Sequence, residues 1–273
     1  MDSFWVDTHC HLDFLSDPEG CLAAAHLVGV RAVLVPAVSP ENFARVADLA
    51  HRYADVFYAL GLHPCSVDRL EEDALSVLKN ALVAHRDDPK LVAVGEIGLD
   101  FFLPNLDRGR MHTLFTEQLR LARDFDLPVV LHVRKAQDQV CAGLRRFAIS
   151  KGIAHAFNGS LVQAQAFIDQ GLVLGFGGAM TFTRALQIRR LAAALPTDSW
   201  VVETDSPDIA PAWMAKGEAN RPDQIPAIGA VLADLRGITS LEAARQSSLN
   251  ACRALPRLAG RFTEALPTAP LSS

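Results

Sequence analysis

Eight short apolar segments alternate with segments of helical pattern along the chain, and this alternation constrains the fold more than any other feature. The fourth segment begins with Leu91–Val94, an unbroken apolar run that is typical of a parallel strand buried on both faces. With 273 residues, half of them hydrophobic, the chain has room for eight such strands in one domain. The predicted strands are 4–11, 31–38, 56–61, 91–95, 128–133, 152–155, 172–176 and 200–205.

This pattern predicts an α/β fold, a single-domain (β/α)8 TIM barrel. An open, doubly wound sheet shows the same alternation and is the alternative. The strand count favours the barrel, and the chain lacks the GxGxxG or Walker loop that many doubly wound domains carry. We expect the barrel to occupy residues 1–262. Residues 263–273 contain Pro267, Pro270 and terminal serines, and we expect a disordered tail there.

Charge and cysteine usage limit the classes of protein. The net charge of −5 argues against general electrostatic coating of nucleic acid, although it leaves a nucleic-acid substrate held by metal ions possible. The five cysteines form no CxxC pair, which predicts reduced thiols and a cytoplasmic location. No signal peptide and no membrane-spanning run are visible, so we expect no membrane partner, and no obligate protein partner is evident.

Polar side chains gather where the predicted strands end, which in barrel enzymes is the active-site face. Singly, each has a structural alternative: a histidine satisfied by backbone in the core, or Asp205 as a helix N-cap before Pro207. Together they would place four imidazoles and two carboxylates in one partly buried mouth. Divalent cations resolve such an arrangement, so we predict these six residues as metal ligands. They are His9, His11, Glu96, His132, His155 and Asp205.

Strand geometry suggests how two ions would share these ligands. His9 and His11 lie on one face of a strand under period-two alternation, so both can bind one ion. Glu96 can bridge to a second ion held by His132 and His155. Asp205 would complete the first site and contact the attacking water, which makes Asp205 and Glu96 the predicted catalytic residues. Zn²⁺, Mn²⁺, Fe²⁺ or Mg²⁺ suit these ligands, and two ions about 3.5–4 Å apart suit phosphate-ester cleavage.

Six segments of the chain carry recognisable motifs: VDTHCHLDF at 6–14, GLHP at 61–64, GEIGLD at 95–100, LPVVLHVR at 127–134, HAFNGS at 155–160 and ETDSP at 203–207. These motifs make the chain similar to the TatD family of metal-dependent hydrolases, which belongs to the amidohydrolase-like TIM barrels. The resemblance runs from about Val6 to Leu255, with the motifs in the same order, and two further segments, 39–46 and 220–224, resemble the YjjV-like branch.

The resemblance implies a function as well as a fold. It assigns metal binding to the same six residues, and it implies hydrolysis of phosphodiester bonds, of the kind carried out by a deoxyribonuclease, with DNA or another phosphodiester as the binding partner. The chain departs from the common family pattern at Val133, Ala156 and Asn158, in loops that shape the pocket. The ligands are kept, and substrate choice is left open.

Six further positions have weaker predicted roles. His63, Arg134 and Arg221 are predicted to contact substrate phosphate; the alternatives are that His63 fixes the turn after it and that the arginines form surface salt bridges. Asp100 can orient a ligand histidine. The pair Phe101–Phe102 can stack on bases or simply pack at the barrel rim.

Two rival functions remain beside the phosphodiesterase. The first is an amidohydrolase or lactonase acting on a small-molecule carbonyl, because the same metal ligands can activate water toward a carbonyl; the acidic net charge favours it. The second is a metal-binding protein that has lost catalysis and whose barrel binds a partner. The six intact candidate ligands argue against that reading.

Overall fold

A computed structural model describes residues 3–262 of the chain, so the predicted tail at 263–273 lies outside the described residues. Eight parallel strands form one sheet in which each strand pairs with its neighbours in sequence order. The strands are β1 (Trp5–Asp7), β2 (Val30–Pro36), β3 (Val56–Leu60), β4 (Leu91–Asp100), β5 (Val129–Arg134), β6 (Gly152–Ala154), β7 (Leu172–Phe176) and β8 (Trp200–Val202).

The sheet curls until its first and last strands meet. The backbone N–H of Thr8 donates to the carbonyl of Val202 at 3.4 Å, and that of Asp205 donates to the carbonyl of His9 at 2.8 Å. An unbroken strand order joined in this way is a barrel and not a doubly wound sheet, whose order would reverse. The predicted (β/α)8 fold is therefore confirmed.

Helices follow the strands and surround them. After β3 the chain first forms a 3₁₀ turn, Pro64–Arg69, before the next α-helix begins. The α-helices are α1 (Pro18–Leu27), α2 (Phe43–Arg52), α3 (Ala74–Ala84), α4 (Arg108–Asp124), α5 (Gln137–Phe147), α6 (Leu161–Ile168), α7 (Leu186–Ala194), α8 (Ile225–Arg236), α9 (Ser240–Ala254) and α10 (Pro256–Ala259).

The inside of the barrel is filled by apolar side chains from alternate positions of the strands, such as Leu34 and Val130, both fully buried. Leu258 and Phe262 join the same apolar cluster. Arg257 donates to the carbonyl of Leu91, the first residue of β4, at 2.9 Å. The segment that follows α9 therefore covers the amino-terminal end of the barrel, and the carboxyl-terminal end is left for the site.

Five strands are shorter than the sequence predicted: β2 and β3 end one or two residues early, and β1, β6 and β8 lose positions that carry site residues. β1 ends at Asp7, β6 at Ala154 and β8 at Val202, so His9, His11, His155 and Asp205 follow strands instead of ending them. At β1 the reason is local: the Asp7 carboxylate accepts the backbone N–H of His9 at 3.3 Å and takes it out of the ladder.

β4 is longer than predicted, and the expectation that it ends at Gly95 is wrong. Pairing with β5 shifts register between Val94 and Ile97 and then continues to Asp100, opposite Arg134. The strand can continue because Gly98, with φ of 149°, has no side chain; a Cβ there would lie 1.9 Å from the carbonyl oxygen of His132. Glu96 consequently lies inside the strand, where the register of pairing with β5 shifts.

None of the helices described is long and apolar enough to cross a membrane.

Candidate metal centre

The carboxylate of Glu96 lies at the middle of the cluster, and its side chain is almost completely buried. Oε2 of Glu96 lies 3.1 Å from Nε2 of His9 and 3.5 Å from Nε2 of His11. Oε1 lies 2.8 Å from Nε2 of His155 and 3.1 Å from Nδ1 of His132. The two oxygens thus face two different pairs of histidines.

Asp205 joins the side of the cluster that holds His9 and His11. Its Oδ1 lies 3.5 Å from Nε2 of His9 and 3.7 Å from Nε2 of His11. The residue has a left-handed backbone, with φ of 58°, just beyond β8. Asp205 therefore contacts histidines, and no helix begins there for it to cap as the alternative proposed.

On the other side, a second carboxylate fixes the ring of His132. Oδ2 of Asp100 lies 3.0 Å from Nε2 of His132, while Nδ1 of the same ring faces Glu96. Asp100 is the last residue of β4 and His132 lies in β5, so the sheet holds the pair together. Burial alone would raise the pKa of Asp100, but the hydrogen bond with His132 lowers it to about 2. The contact has the geometry expected of a carboxylate that orients a ligand histidine, the role predicted for Asp100.

The donor atoms fit divalent cations. His9, His11 and Glu96 form one group whose ligand atoms all lie within 4.8 Å of one another, and Glu96, His132 and His155 form another. Without an ion the arrangement is unbalanced, because Oε1 of Glu96 has two lone-pair sites and faces more ring nitrogens than it can accept protons from. Mixed imidazole and carboxylate ligands suit Zn²⁺, Mn²⁺ and Fe²⁺.

The electrostatics keep the central carboxylate charged. Burial alone would raise the pKa of Glu96, but the electrostatic interactions with His63, His155 and His9 hold it well below its usual range. Burial would likewise lower the pKa of His155, and the charge of Glu96 instead raises it to about 10. The carboxylate of Glu96 therefore stays ionised, and its negative charge favours binding of a cation in the cluster.

His63 also lies in this cluster, where the sequence predicted a substrate contact or a turn. Its Nδ1 accepts the backbone N–H of Cys65 at 3.1 Å, which fixes the turn after β3. Its Nε2 lies 3.0 Å from Oε1 of Glu96 and 3.2 Å from Nδ1 of His132. A neutral ring whose Nδ1 accepts carries its proton on Nε2, so His63 is a hydrogen-bond donor to this site.

Glu203 was not predicted as a site residue, although it opens the ETDSP motif. It is fully buried, and its Oε1 lies 3.8 Å from Nδ1 of His155 and accepts the backbone N–H of Ala156. Burial raises the pKa of Glu203 to about 8. A Cβ on Gly175 of β7 would lie 2.0 Å from Oε2 of Glu203, so this carboxylate needs a glycine beside it. An acidic residue directly after the apolar strand Trp200–Val202 was the available signal.

The two predicted substrate arginines lie in different places. Arg134 lines a cleft of about 940 Å³ above the cluster, together with His11, His63 and Asp205. Arg221 is not among the described residues that line this cleft, and its Nε lies 3.3 Å from Oδ1 of Asp223. The structure thus brings Arg134 to the site and leaves Arg221 in the salt bridge that was its alternative.

Comparison with known proteins gives the family. Residues 6–256 match the sequence profile described as TatD related DNase. The chain belongs to the TatD family. The metal-dependent hydrolase YjjV of Escherichia coli is 43% identical over 236 residues, which cover 85% of this chain and 90% of that protein. The crystal structure of an Escherichia coli YjjV superposes with a TM-score of 0.89 at 40% identity, covering 94% of this chain and 99% of the other.

A more distant relative has a more specific name. The 3'-5' ssDNA/RNA exonuclease TatD of Cronobacter turicensis is 31% identical over 211 residues, which cover 76% of this chain and 79% of that protein. The resemblance seen in the sequence motifs is confirmed, and the chain is a metal-dependent hydrolase of the TatD family on an eight-stranded barrel. The roles of individual site residues stay predictions.

Proposed function

We propose that this protein binds two divalent cations and hydrolyses phosphodiester bonds of DNA. The observation that carries the proposal is the Glu96 carboxylate, whose oxygens face His9 and His11 on one side and His132 and His155 on the other. A carboxylate placed between two pairs of imidazoles suits a bridge between two ions. The name of the Cronobacter relative supports a nucleic-acid substrate.

His9, His11 and Asp205 would hold the first ion, and His132 and His155 the second, with Glu96 shared. Zn²⁺, Mn²⁺ and Fe²⁺ match these ligands better than Mg²⁺, which prefers oxygen. When bound, such cations supply positive charge that favours ionisation of an attacking water and stabilises phosphate oxygens. The identity of the ions is part of the proposal.

Asp205 is proposed as the base. Its carboxylate lies at the edge of the buried cluster, with its side chain 13% exposed, while Glu96 behind it is 1% exposed. Asp205 is therefore the carboxylate that an entering water meets first. It would accept the proton of the water as the water attacks phosphorus, and it would return that proton as the ester oxygen leaves.

His63 and Arg134 are proposed to bind phosphate groups of the substrate, His63 the one beside Glu96 and Arg134 one along the wall of the cleft. Nε2 of His63 carries the proton when Nδ1 accepts the N–H of Cys65, so it can donate to a phosphate oxygen beside Glu96. The guanidinium of Arg134 lines the cleft and is half exposed, and its fork of N–H groups fits phosphate oxygens. Arg221 has no place in this proposal, since its contacts are with Asp223.

One experiment tests the class of substrate. Protein loaded with each metal in turn is assayed against single-stranded DNA and against a panel of small esters, lactones and amides. Cleavage of DNA with kcat/KM of about 10⁴ M⁻¹s⁻¹ or more supports the proposal. Activity confined to the carbonyl panel would replace it with the amidohydrolase or lactonase reading.

All five cysteines are free thiols, and the cytoplasmic location predicted from them is kept as part of the proposal.

A further inference from the structure

One wall of the cleft carries an aromatic ring covered by cations. The guanidinium carbon of Arg134 lies 3.8 Å from the centroid of the Phe102 ring, and Nζ of Lys135 lies 5.7 Å from it. All three residues line the cleft, and Phe102 remains 50% exposed even beneath the arginine. We call Phe102, Arg134 and Lys135 the Phe102 platform.

We infer that the Phe102 platform is a subsite for one nucleobase and the adjoining phosphate of a single-stranded nucleic acid. This rests on the proposed phosphodiesterase function and specifies its substrate. A base stacks on a phenyl ring or a guanidinium plane regardless of its sequence, because every base has a π-face. The two cations beside the ring pair with the phosphate that joins that base to the next nucleotide.

The platform is held at a fixed place relative to the metal centre. Oδ1 of Asp100 accepts the backbone N–H of Phe102 at 2.8 Å and that of Leu103 at 3.2 Å. The backbone N–H of Phe101 donates to the carbonyl of Arg134 at 2.8 Å. The other oxygen of Asp100 lies 3.0 Å from Nε2 of His132. One carboxylate therefore positions both the loop with the aromatic ring and a proposed metal ligand.

Among the described residues, no carboxylate lies closer than 4.0 Å to either cation of the platform. Within residues 3–262, Arg134 has one acidic contact, at 4.0 Å from Oδ2 of Asp100, which His132 already approaches more closely. Nζ of Lys135 faces the Phe102 ring. Nearby Arg108 differs, because its guanidinium already donates a hydrogen bond, to the carbonyl of Phe101 at 3.3 Å. Arg134 and Lys135 are the only Arg or Lys residues among the described lining of the cleft.

The size of the cleft agrees with a chain-like substrate. At about 940 Å³ it lies near the upper end of the roughly 300–1,000 Å³ found for small-molecule sites. A small ester or lactone at the metal centre would leave the platform unused. A strand with its scissile phosphate at Glu96 and His63 has a neighbouring base and phosphate to place on this wall.

Binding to single strands with and without bases tests the inference. The probes are a fluorescent phosphorothioate oligothymidylate, whose linkages resist hydrolysis, and the same chain with abasic tetrahydrofuran nucleotides. Fluorescence anisotropy gives Kd for the metal-loaded wild type, Phe102→Leu and Phe182→Leu. Phe182 is a matched control, because the guanidinium carbon of Arg184 lies 5.3 Å from its ring and Phe182 is not among the described lining of the cleft.

Wild-type protein should bind the thymidylate more tightly than the abasic chain. Phe102→Leu should weaken thymidylate binding about 5- to 100-fold, the range expected for one stacked base, and leave abasic binding unchanged. Phe182→Leu should behave as wild type with both probes. Equal Kd values of Phe102→Leu and Phe182→Leu for the thymidylate would overturn the platform.

Arg134→Gln separates the phosphate contact from the stacking. It should weaken binding of both probes and reduce the slope of log Kd against log salt by about 0.7, as for one phosphate contact on a single strand. Arg184→Gln is its control and should leave the slope unchanged. An unchanged slope in Arg134→Gln would remove the phosphate from the subsite and overturn the inference as stated.

Failure of the platform and failure of the proposed function give different results. If the wild type cleaves ordinary DNA but Phe102→Leu binds thymidylate as well as the wild type does, the function stands and the platform falls. If no DNA is cleaved but binding depends on Phe102, the platform stands as a binding site and the hydrolysis proposal falls. If no DNA is cleaved and Phe102→Leu does not alter binding, both fall.

Discussion

Oε1 of Glu96 lies 2.8 Å from Nε2 of His155, while Oε2 of the same carboxylate lies 3.1 Å from Nε2 of His9. If Glu96 is a ligand in both proposed metal sites, its substitution should affect metal binding at both. We expect Glu96→Gln to lose the ion between His132 and His155 and part of the other, because the amide keeps the size of the side chain but not its charge. His132→Ala should empty mainly one site.

Metal content by elemental analysis, with circular dichroism as the check on folding, measures the difference between Glu96→Gln and His132→Ala. A folded Glu96→Gln protein that keeps two tightly bound ions per chain and normal turnover shows that Glu96 is not a bridge.

Asp205→Asn should retain the fold and lose several orders of magnitude in kcat, because the amide neither accepts the proton of the attacking water nor neutralises an ion. If Asp205 had only a structural role, the substitution would lower the melting temperature and leave turnover near normal. Melting temperature and kcat, measured on the same preparation, separate these outcomes.

Removal of metal should abolish hydrolysis and also lower stability, since buried Glu96 and Asp205 would lose their compensating charge. Dialysis against a strong chelator followed by addition of Zn²⁺, Mn²⁺, Mg²⁺ or Co²⁺ should restore both turnover and melting temperature. Full activity in protein verified as metal-free by elemental analysis is the contrary result.

Glu203 is expected to position His155 and not to touch substrate. Glu203→Gln should weaken metal binding on the His155 side about 10- to 100-fold, which is typical of a lost carboxylate partner of a ligand histidine. Gly175→Ala should have a similar effect, because its Cβ would lie 2.0 Å from Oε2 of Glu203 and displace it. Metal titration followed by calorimetry gives the affinities; unchanged affinity in both folded variants contradicts the role.

A pH effect on stability is expected at the other end of the barrel. The hydroxyl of Tyr58 donates to Oδ2 of Asp88 at 2.7 Å. Burial is the larger cause and this hydrogen bond the second, and together they raise the pKa of Tyr58 far above 10. A pKa raised on folding gives stability that is present below pH 10 and is lost as the pH rises, because the unfolded chain ionises first. Tyr58→Phe should cost about 1 kcal/mol at pH 8 through the lost hydrogen bond.

The pH series distinguishes ionisation of Tyr58 from simple loss of its hydroxyl. Between pH 10 and 11.5 the wild type should lose up to about 1.4 kcal/mol more per pH unit than Tyr58→Phe, corresponding to one proton. Urea unfolding at each pH gives the two curves. Parallel curves for wild type and variant over this range would show that Tyr58 ionises alike in the folded and unfolded chain.

The sequence by itself determined the barrel and the composition of the site. Apolar runs separated by helical segments fix which residues must be buried, and this pattern is local, so Leu172–Phe176 was predicted with its observed bounds. Helix capping is equally local: in the capping box of Thr239 and Glu242, the backbone N–H of Glu242 donates to Oγ1 of Thr239 at 3.2 Å. The six metal-ligand candidates were predicted from their positions at strand ends, because parallel strands bring their carboxyl ends to one face of the barrel.

Tertiary structure decided where those residues lie and what else lies with them. β4 extends past Glu96 because β5 pairs with it as far as Asp100, and a partner strand far along the chain is not visible in local pattern. Glu203 and His63 joined the cluster through neighbours on other strands. Arg134 and Arg221 looked alike in sequence; packing placed one over Phe102 in the cleft and the other beside Asp223. Pairwise distances between remote segments are set by the closed sheet, and only the folded chain contains them.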